Sequence, residues 1–193
     1  KLVVGGPTVG DERLLVQGYS GSDYVGDIIE PSYANKSGSY CFASSGTADT
    51  PFDNSMNSVW MPTDDAPRIA LRFIDGKHQV NRVKFFKYRD DDGQGVVRFP
   101  WDEFVVYGSN NSTNGVDGDW TPLSPRFSVQ HISESSHSYD FPENRRSFAW
   151  LKLAGTRSTQ PANLRLHEVE AYTYLPTPAH QFIVDATGNP ITD

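Results

Sequence analysis

Short stretches in which large apolar residues occupy every second position recur along the chain and predict β-strands. In Ile69-Ala70-Leu71-Arg72-Phe73, three large apolar side chains would share one face of a half-buried strand. Aromatic or β-branched residues dominate the other candidate strands, which are Val80 to Tyr88, Phe104 to Tyr107, Phe127 to Val129, Phe148 to Leu153 and Leu164 to Tyr174. No segment shows the sustained 3.6-residue period of an amphipathic helix.

Turn-forming clusters of Gly, Asn, Asp and Ser separate these stretches. The clearest clusters are 90–95, 109–115 and 155–161. Gly and Asn tolerate the positive φ angles that tight turns require. Many short strands joined by such loops predict an all-β protein, an antiparallel β-sandwich of the jelly-roll type.

The two ends of the chain differ from its middle. Residues 1–40 are predicted to form an N-terminal extension that contains a strand or two, and residues 41–175 to form the sandwich domain. Pro176 and Pro178 are expected to break the sheet, with a short hairpin from Phe182 to Pro190 in a C-terminal extension or linker, 176–193. Because the chain does not begin with Met, we interpret it as a piece of a longer protein.

Composition narrows the classes of partner. The chain has 193 residues, with 17 Lys plus Arg against 24 Asp plus Glu, and its formal net charge is -7. That charge repels a polyanion, so nucleic acid is not an expected partner. No apolar run approaches the roughly 20 residues that span a bilayer, so membrane insertion is not expected. The single cysteine, Cys41, is predicted to be a buried free thiol.

Two segments carry a family resemblance. They are Pro51-Phe52-Asp53-Asn54-Ser55-Met56-Asn57-Ser58-Val59-Trp60 and Leu166-His167-Glu168-Val169-Glu170-Ala171-Tyr172. Between them come Phe104-Val105-Val106-Tyr107-Gly108-Ser109, then Trp120, then Trp150-Leu151-Lys152-Leu153. In this order they resemble the discoidin (coagulation factor type C) superfamily of galactose-binding-like domains, and especially its bacterial relatives, the family 32 carbohydrate-binding modules. The resemblance implies a galactose-binding-like jelly roll that acts as a binding module.

The resemblance also implies a structural calcium ion between the two segments. Carried over residue by residue, the ligands would be the side chains of Asp53, Ser58 and Glu168 and the carbonyls of Thr50, Ser55, Ser58 and His167. A tight turn supplies several of the six to eight oxygens that calcium prefers. Two alternatives remain open: Asp53 makes only an Asx turn, and Glu168 is a solvated carboxylate at a strand end.

A ligand loop is implied in the same way. Relatives that bind sugars hold hydroxyl groups with an Arg and a nearby amide, and pack an aromatic ring on the sugar. Arg89 and Gln94 match the Arg and the amide, Asp90 would accept hydroxyl protons, and Trp101 would be the aromatic platform. The alternative for Trp101 is a core residue that packs under the loop.

The sequence contains no catalytic motif that we recognise. The five histidines form no H-E-x-x-H pair, and neither a G-x-S-x-G elbow nor a G-x-x-x-x-G-K-[ST] loop is present. We therefore expect a non-enzymatic carbohydrate-binding or adhesion module that attaches a larger extracellular, cell-surface or virion protein to glycans. The alternative is a structural interaction domain of a phage tail, baseplate or fibre, whose partners would be sister subunits.

Overall fold

The computed structural model describes residues 3–4, 14–29, 32–86, 99–129, 136–159 and 164–184. Within these ranges the regular structure consists of β-strands and one 3-10 turn, Thr50–Phe52. The strands are β1 (Val3–Val4), β2 (Leu14–Val25), β3 (Cys41–Ala43), β4 (Arg68–Arg72), β5 (His78–Gln79), β6 (Arg82–Phe86), β7 (Trp101–Ser109), β8 (Thr121–Pro122), β9 (Phe127–Ser128), β10 (Ser136–Asp140), β11 (Ser147–Phe148), β12 (Trp150–Arg157) and β13 (Glu168–Val184). The prediction of an all-β protein is confirmed. No helix in these ranges could cross a membrane.

The chain divides into two compact units, 25–173 and 1–24 with 174–193. Residues 25–40, which the sequence assigned to the N-terminal extension, lie in the first unit. Hydrogen bonds place this segment beside β13, because Ile28 N donates to Ala171 O and Ala171 N donates to Asp27 Oδ1. Each unit is described by itself below.

The first unit contains two larger antiparallel sheets and a two-stranded ladder of β5 with β11. One has the order β3-β4-β12-β7-β8, with β9 also paired to β7, and the other includes β13, β6 and β10. In the first sheet Leu151 lies opposite Leu71 on β4 and Gly108 on β7. In the second sheet Phe85 lies opposite Val169 and His137. Alternate residues of both sheets therefore point inward, as the period-two pattern predicts.

Aromatic rings join the two sheets across the core. The ring centroid of Phe85 lies 4.9 Å from that of Phe104 and 5.3 Å from that of Tyr139, and Phe104 and Tyr139 meet edge to face at 4.8 Å. Tilted and edge-to-face pairs at these distances stabilise a core beyond simple burial. The buried Cys41 belongs to the same core, and burial raises the pKa of its thiol to about 12, as expected for a packing residue.

A loop between β7 and β8 covers part of the sheet face that points away from this core. Gly115 has φ +84°, and a methyl group there would lie 2.7 Å from Cβ of Phe42. Only glycine combines that left-handed backbone with so close an approach. The loop is held in place by Asp117, which accepts hydrogen bonds from Ser112 Oγ and Thr113 N.

The second unit contains β1, most of β2 and the distal part of β13. Strand β1 pairs antiparallel with β2, with Val3 opposite Leu15, and β2 is the next neighbour of β13. The prediction that Pro176 and Pro178 end the sheet is wrong, because β13 continues to Val184. Two prolines at i and i+2 remove N–H groups from one edge of a strand and leave the other edge able to pair. The predicted hairpin at 182–190 lies partly outside the described residues.

Candidate functional site

The turn from Thr50 to Ser58 brings several oxygen atoms together after β3. Pro51 opens the 3-10 turn with a preset φ, and Asn54 adopts φ 57° where the family pattern has Gly. Ser55 N donates to Oδ1 of Asp53 at 3.0 Å, which closes an Asx turn. The Asx alternative for Asp53 is therefore observed, although it occupies only part of this carboxylate.

The hydroxyl of Ser58 lies at the centre of the turn. Its Oγ is 2.8 Å from Oδ1 of Asp53, 3.0 Å from the carbonyl oxygen of Ser55 and 3.3 Å from that of Thr50. A serine hydroxyl has one proton, so it donates fully to only one of three acceptors. The oxygens therefore converge with more lone pairs than protons, which is the arrangement that suits a bound cation.

Glu168, the first residue of β13, closes the cluster from the other side. Its Oε2 accepts a hydrogen bond of 3.2 Å from Ser55 N, and its Oε1 accepts one of 3.1 Å from Val169 N. The residue is only 5% exposed, so the alternative of a solvated carboxylate at a strand end is wrong. Burial, reinforced by the charges of Asp53 and Asp27, raises the pKa of Glu168 to about 8.

Asp27 is the residue of this region that the sequence analysis missed. Its Oδ1 accepts hydrogen bonds from Ile29 N and Ala171 N, and its charge acts on Glu168. It precedes the segment that resembles the discoidin pattern, so no motif pointed to it.

Within the described residues, no three His, Cys, Asp or Glu side chains converge as metal ligands. The donors of the cluster are thus largely hydroxyl and carbonyl oxygens, the ligand type of a hard cation.

His167 contacts the turn through its ring. Its ring nitrogen Nδ1 lies 3.0 Å from the carbonyl oxygen of Met56, and its backbone N–H donates to Phe86 O at 2.9 Å. Burial lowers the pKa of this imidazole, so the ring is neutral near pH 7. The ligand role of its carbonyl remains a prediction.

Loops beside this cluster form an ordered rim. The indole Nε1 of Trp60 donates to Ser45 O at 2.6 Å, and Oδ2 of Asp64 accepts hydrogen bonds from the hydroxyls of Ser44 and Ser45. On the other side, Arg157 at the end of β12 donates from Nη1 to Thr63 O at 2.5 Å. These bonds fix segment 61–67 against the ends of β3 and β12.

Trp101 is a core residue, and its prediction as an exposed aromatic platform is wrong. Its side chain is fully buried, and its Nε1 donates to Pro67 O at 2.7 Å. The ring packs against those of Trp60 and Phe85, with centroids 5.5 Å away in both cases. A Trp that satisfies its N–H inside the core presents no face to a sugar. The packing alternative for Trp101 is correct.

The other three predicted ligand residues, Arg89, Asp90 and Gln94, lie outside the described residues. Their role remains a prediction. Met61, which follows Trp60, is a large apolar side chain of this rim that is 51% exposed.

Comparison with solved structures decides the fold. A chitosan-binding module of a chitosanase/glucanase from Paenibacillus sp. IK-5 superposes with a TM-score of 0.52 at 22% identity, covering 70% of this chain and 96% of the module. The family 32 carbohydrate-binding module of C. perfringens NanJ, solved with galactose, gives 0.52 at 12% identity, over 69% and 92% of the two chains. The chain has the galactose-binding-like jelly-roll fold.

This galactose-binding-like fold also occurs in a truncated AlyQ that carries a family 32 module and an alginate lyase domain. That structure matches with a TM-score of 0.55 at 14% identity, over 80% of this chain and 34% of AlyQ. Neither a protein-family model nor a curated protein sequence matches the chain. The resemblance seen in the sequence is therefore confirmed at the level of the fold.

Proposed function

We propose that the chain is a non-catalytic carbohydrate-binding module whose rim loops bind glycans for a larger extracellular or virion protein. The observation that carries this proposal is the jelly roll with its ordered rim, formed by segment 61–67 and the adjoining ends of β3 and β12. Of the named modules with the same fold, one is a chitosan-binding module and another was solved in complex with galactose, which supports the proposal. Weak binding at each site would be strengthened when several copies act together.

In this proposal the segment between β6 and β7 joins the rim loops in one binding site and supplies the polar contacts to the sugar. Arg89 donates paired hydrogen bonds to neighbouring hydroxyls, Gln94 supplies an amide, and Asp90 accepts hydroxyl protons. With Trp101 buried, any aromatic contact to the sugar comes from another side chain. Met61 is an exposed apolar group on the rim that packs against a pyranose face.

A glycan array tests this function directly. The wild-type chain is expected to retain a defined subset of glycans, and Arg89→Ala to abolish that signal because the donor fork is lost. Arg145→Ala, which removes an exposed arginine from the connection between β10 and β11, is the matched control and should bind as wild type. The proposal fails if no glycan is retained, or if Arg89→Ala and Arg145→Ala behave alike.

We also propose that the Asp53–Glu168 cluster holds a structural calcium ion. The residues present fit this ion, because carboxylate, hydroxyl and carbonyl oxygens converge around Ser58. In the described part of the chain, the buried Glu168 makes no ion pair with Lys, Arg or His. A bound ion would neutralise the buried carboxylates and fix the turn that leads into Trp60. The ion would have a structural role and would leave the ligand contacts to the rim loops.

Thermal unfolding with and without calcium tests the ion. Added calcium is expected to raise the midpoint of the wild-type chain, and chelator to reverse the gain, since an ion bound only to the folded state stabilises it. Ser58→Ala and Glu168→Gln should each lose most of this response. Glu143→Gln, the same chemical change at an exposed site, should keep it. An equal response in all four proteins would contradict the proposal.

One observation favours the alternative of a structural interaction domain. Strand β13 spans 17 residues, far more than the ladder with β6 requires, and its distal part pairs with β2 in the second unit. A ribbon of this kind suits docking to sister subunits in a larger assembly. A measured mass in solution above that of the monomer, which truncation of residues 1–24 and 174–193 returns to the monomer, would support it.

A further inference from the structure

The outer face of the sheet, which points away from the core, carries an unusual lysine. Lys152 lies in the middle of β12, opposite Ala70 on β4 and Tyr107 on β7. Its neighbours Leu151 and Leu153 point into the core, so alternation directs Lys152 outward. The side chain is nevertheless half-buried, because rings rise on either side of it.

Two aromatic rings flank the ammonium of Lys152. Its Nζ lies 3.7 Å from the ring centroid of Trp120 and 5.5 Å from that of Tyr107. Trp120 is held in place, since its Nε1 donates to Asp117 O at 2.9 Å in the loop described above. The rings stabilise the cation through their π faces, and among the described residues none accepts a hydrogen bond from its N–H groups.

A second cation shares this surface. Arg68 lies opposite Ala154, two residues along β12 from Lys152, so the two side chains are diagonal neighbours on one face. In the described part of the chain neither of them makes an ion pair. Burial and then the charge of Arg68 lower the pKa of Lys152 to about 8.

The acidic groups on the neighbouring elements are engaged elsewhere. Glu103 on β7 pairs with Arg126 at 3.3 Å. Asp117 accepts hydrogen bonds from Ser112 and Thr113, and Asp119 accepts one from Asn111 Nδ2 at 2.9 Å. Of these three carboxylates only Glu103 is paired with a cation within the described residues, but the charge that acts on Lys152 is that of Arg68. Lys152 and Arg68 therefore form a local pair of cations with aromatic walls on a protein whose net charge is negative.

We propose that Arg68, Tyr107, Trp120 and Lys152 form a second saccharide site, which binds an anionic sugar residue on the outer face of the sheet. The sugar's carboxylate or sulfate would lie between the two cations and accept their hydrogen bonds. Its C–H groups would pack on the exposed edges of the two rings, as sugars do on aromatic side chains. Arg68 directly follows the rim segment 61–67, but none of the four residues belongs to that segment or is assigned a contact with the glycan that the rim binds.

Calorimetry with three soluble probes tests the site: a polyuronate oligomer, a sulfated oligosaccharide and a neutral oligosaccharide of the same length. At least one anionic probe is expected to bind more tightly than the neutral probe. Lys152→Met, which keeps the aliphatic stem, and Arg68→Met should each weaken that binding by about tenfold or more. Comparison of the affinities for the two anionic probes shows whether the site prefers a carboxylate or a sulfate.

The matched control is Lys36→Met. Lys36 is also a lysine over an aromatic ring, 6.0 Å from the centroid of Tyr40, but it is exposed. Its variant should bind the anionic probe as wild type. Thermal unfolding of each variant shows whether a loss of binding follows from a loss of folding, and Lys152→Arg keeps both the charge and the aromatic contact.

The pH dependence gives a readout that a structural role would not move. Wild-type affinity for the anionic probe should fall between pH 7 and pH 10 as Lys152 loses its proton, whereas the Lys152→Arg profile should stay flat. Equal affinity of Lys152→Met and wild type would overturn the site. So would loss of anionic binding on Arg89→Ala alone, because that result assigns the probe to the rim. Failure of neutral glycans to bind the rim would leave this site untouched.

Discussion

The backbone amide of Ser55 donates a hydrogen bond of 3.2 Å to Oε2 of Glu168, a residue 113 positions later in the chain. This bond joins the turn before Trp60 to the first residue of β13. Since Asp53 Oδ1 accepts from the same amide, both carboxylates are drawn to one point. Two like charges held together in a buried site are costly unless a proton or a cation compensates them.

That cost predicts an unusual pH dependence for the metal-free protein. Glu168 has a pKa raised to about 8 in the folded state, so the folded chain binds more protons than the unfolded chain above the ordinary pKa of 4.5. The free energy of unfolding should therefore decrease as pH rises toward 8. Chemical denaturation in chelator at pH 6.5 and pH 8 measures this decrease.

Between pH 6.5 and pH 8 the decrease caused by Glu168 outweighs the effects of the other groups with shifted pKa values. The lowered pKa of His167 affects stability below pH 6.5. The pKa of Lys152, lowered to about 8, makes stability rise as pH approaches and passes 8, so it opposes the decrease only in the upper part of the window. Glu168→Gln should flatten the profile, and excess calcium should remove the decrease for the wild-type chain. A wild-type profile that is flat in chelator would contradict the burial of a charged Glu168.

Replacement of Trp101 by Phe tests its reassignment to the core. The variant loses the hydrogen bond from Nε1 to Pro67 O and leaves a buried carbonyl without that donor. We expect a loss of about 1 to 3 kcal/mol in the free energy of unfolding. Glycan binding should persist at temperatures where the variant is folded. Loss of binding by a fully folded Trp101→Phe protein would restore the platform role.

Gly115 and Gly38 form a matched pair for the loop over the outer face. Both have left-handed backbone, with φ +84° and +80°, but only Gly115 faces a neighbour, Cβ of Phe42 at 2.7 Å. Gly115→Ala should lower the free energy of unfolding by about 1 to 3 kcal/mol more than Gly38→Ala, because it adds overlap to backbone strain. Equal losses in urea denaturation would show that the loop moves away freely.

Asn81 tests a buried polar contact between β5 and β6. Its Nδ2 donates to the carbonyls of Asn144 at 2.8 Å and Phe141 at 3.3 Å, and its Oδ1 accepts from Gln79 Nε2 at 2.9 Å. Asn81→Ala should cost about 2 to 4 kcal/mol, since several buried groups lose partners at once. Asn57→Ala, at an exposed position, should lower the free energy of unfolding only slightly. Thermal unfolding of both variants measures the difference.

The sequence was sufficient for the strands and for the turn but not for the environment of single residues. Period-two alternation placed Ile69 and Leu71 on the inner face of β4, and this outcome follows from local patterning. The approach of Asp53 to Glu168 was expected from the family resemblance of the two segments. The burial of Glu168 could not be read in this way, because it depends on residues from both ends of the domain.

Trp101 and Pro176 were misjudged for related reasons. Strict alternation from Phe104 would direct Trp101 outward, but a register shift between Thr156 and Arg157 on β12 turns it inward. The carbonyl that its N–H finds there, Pro67 O, is 34 positions away. Proline was treated as a strand breaker, yet its effect depends on which edge of the strand is paired. Asp27 had no motif at all, and its role is visible only beside Ala171.

Ile28 and Ala171 are bonded backbone to backbone, so the polypeptide arrives at and departs from the sandwich at adjoining points. A domain whose two ends lie close together can be inserted into a surface hairpin of another protein. It would then be attached to the scaffold at both ends, which restricts its rotation more than a single linker does. Residues 25–173 are thus the compact unit whose two ends such an insertion would use.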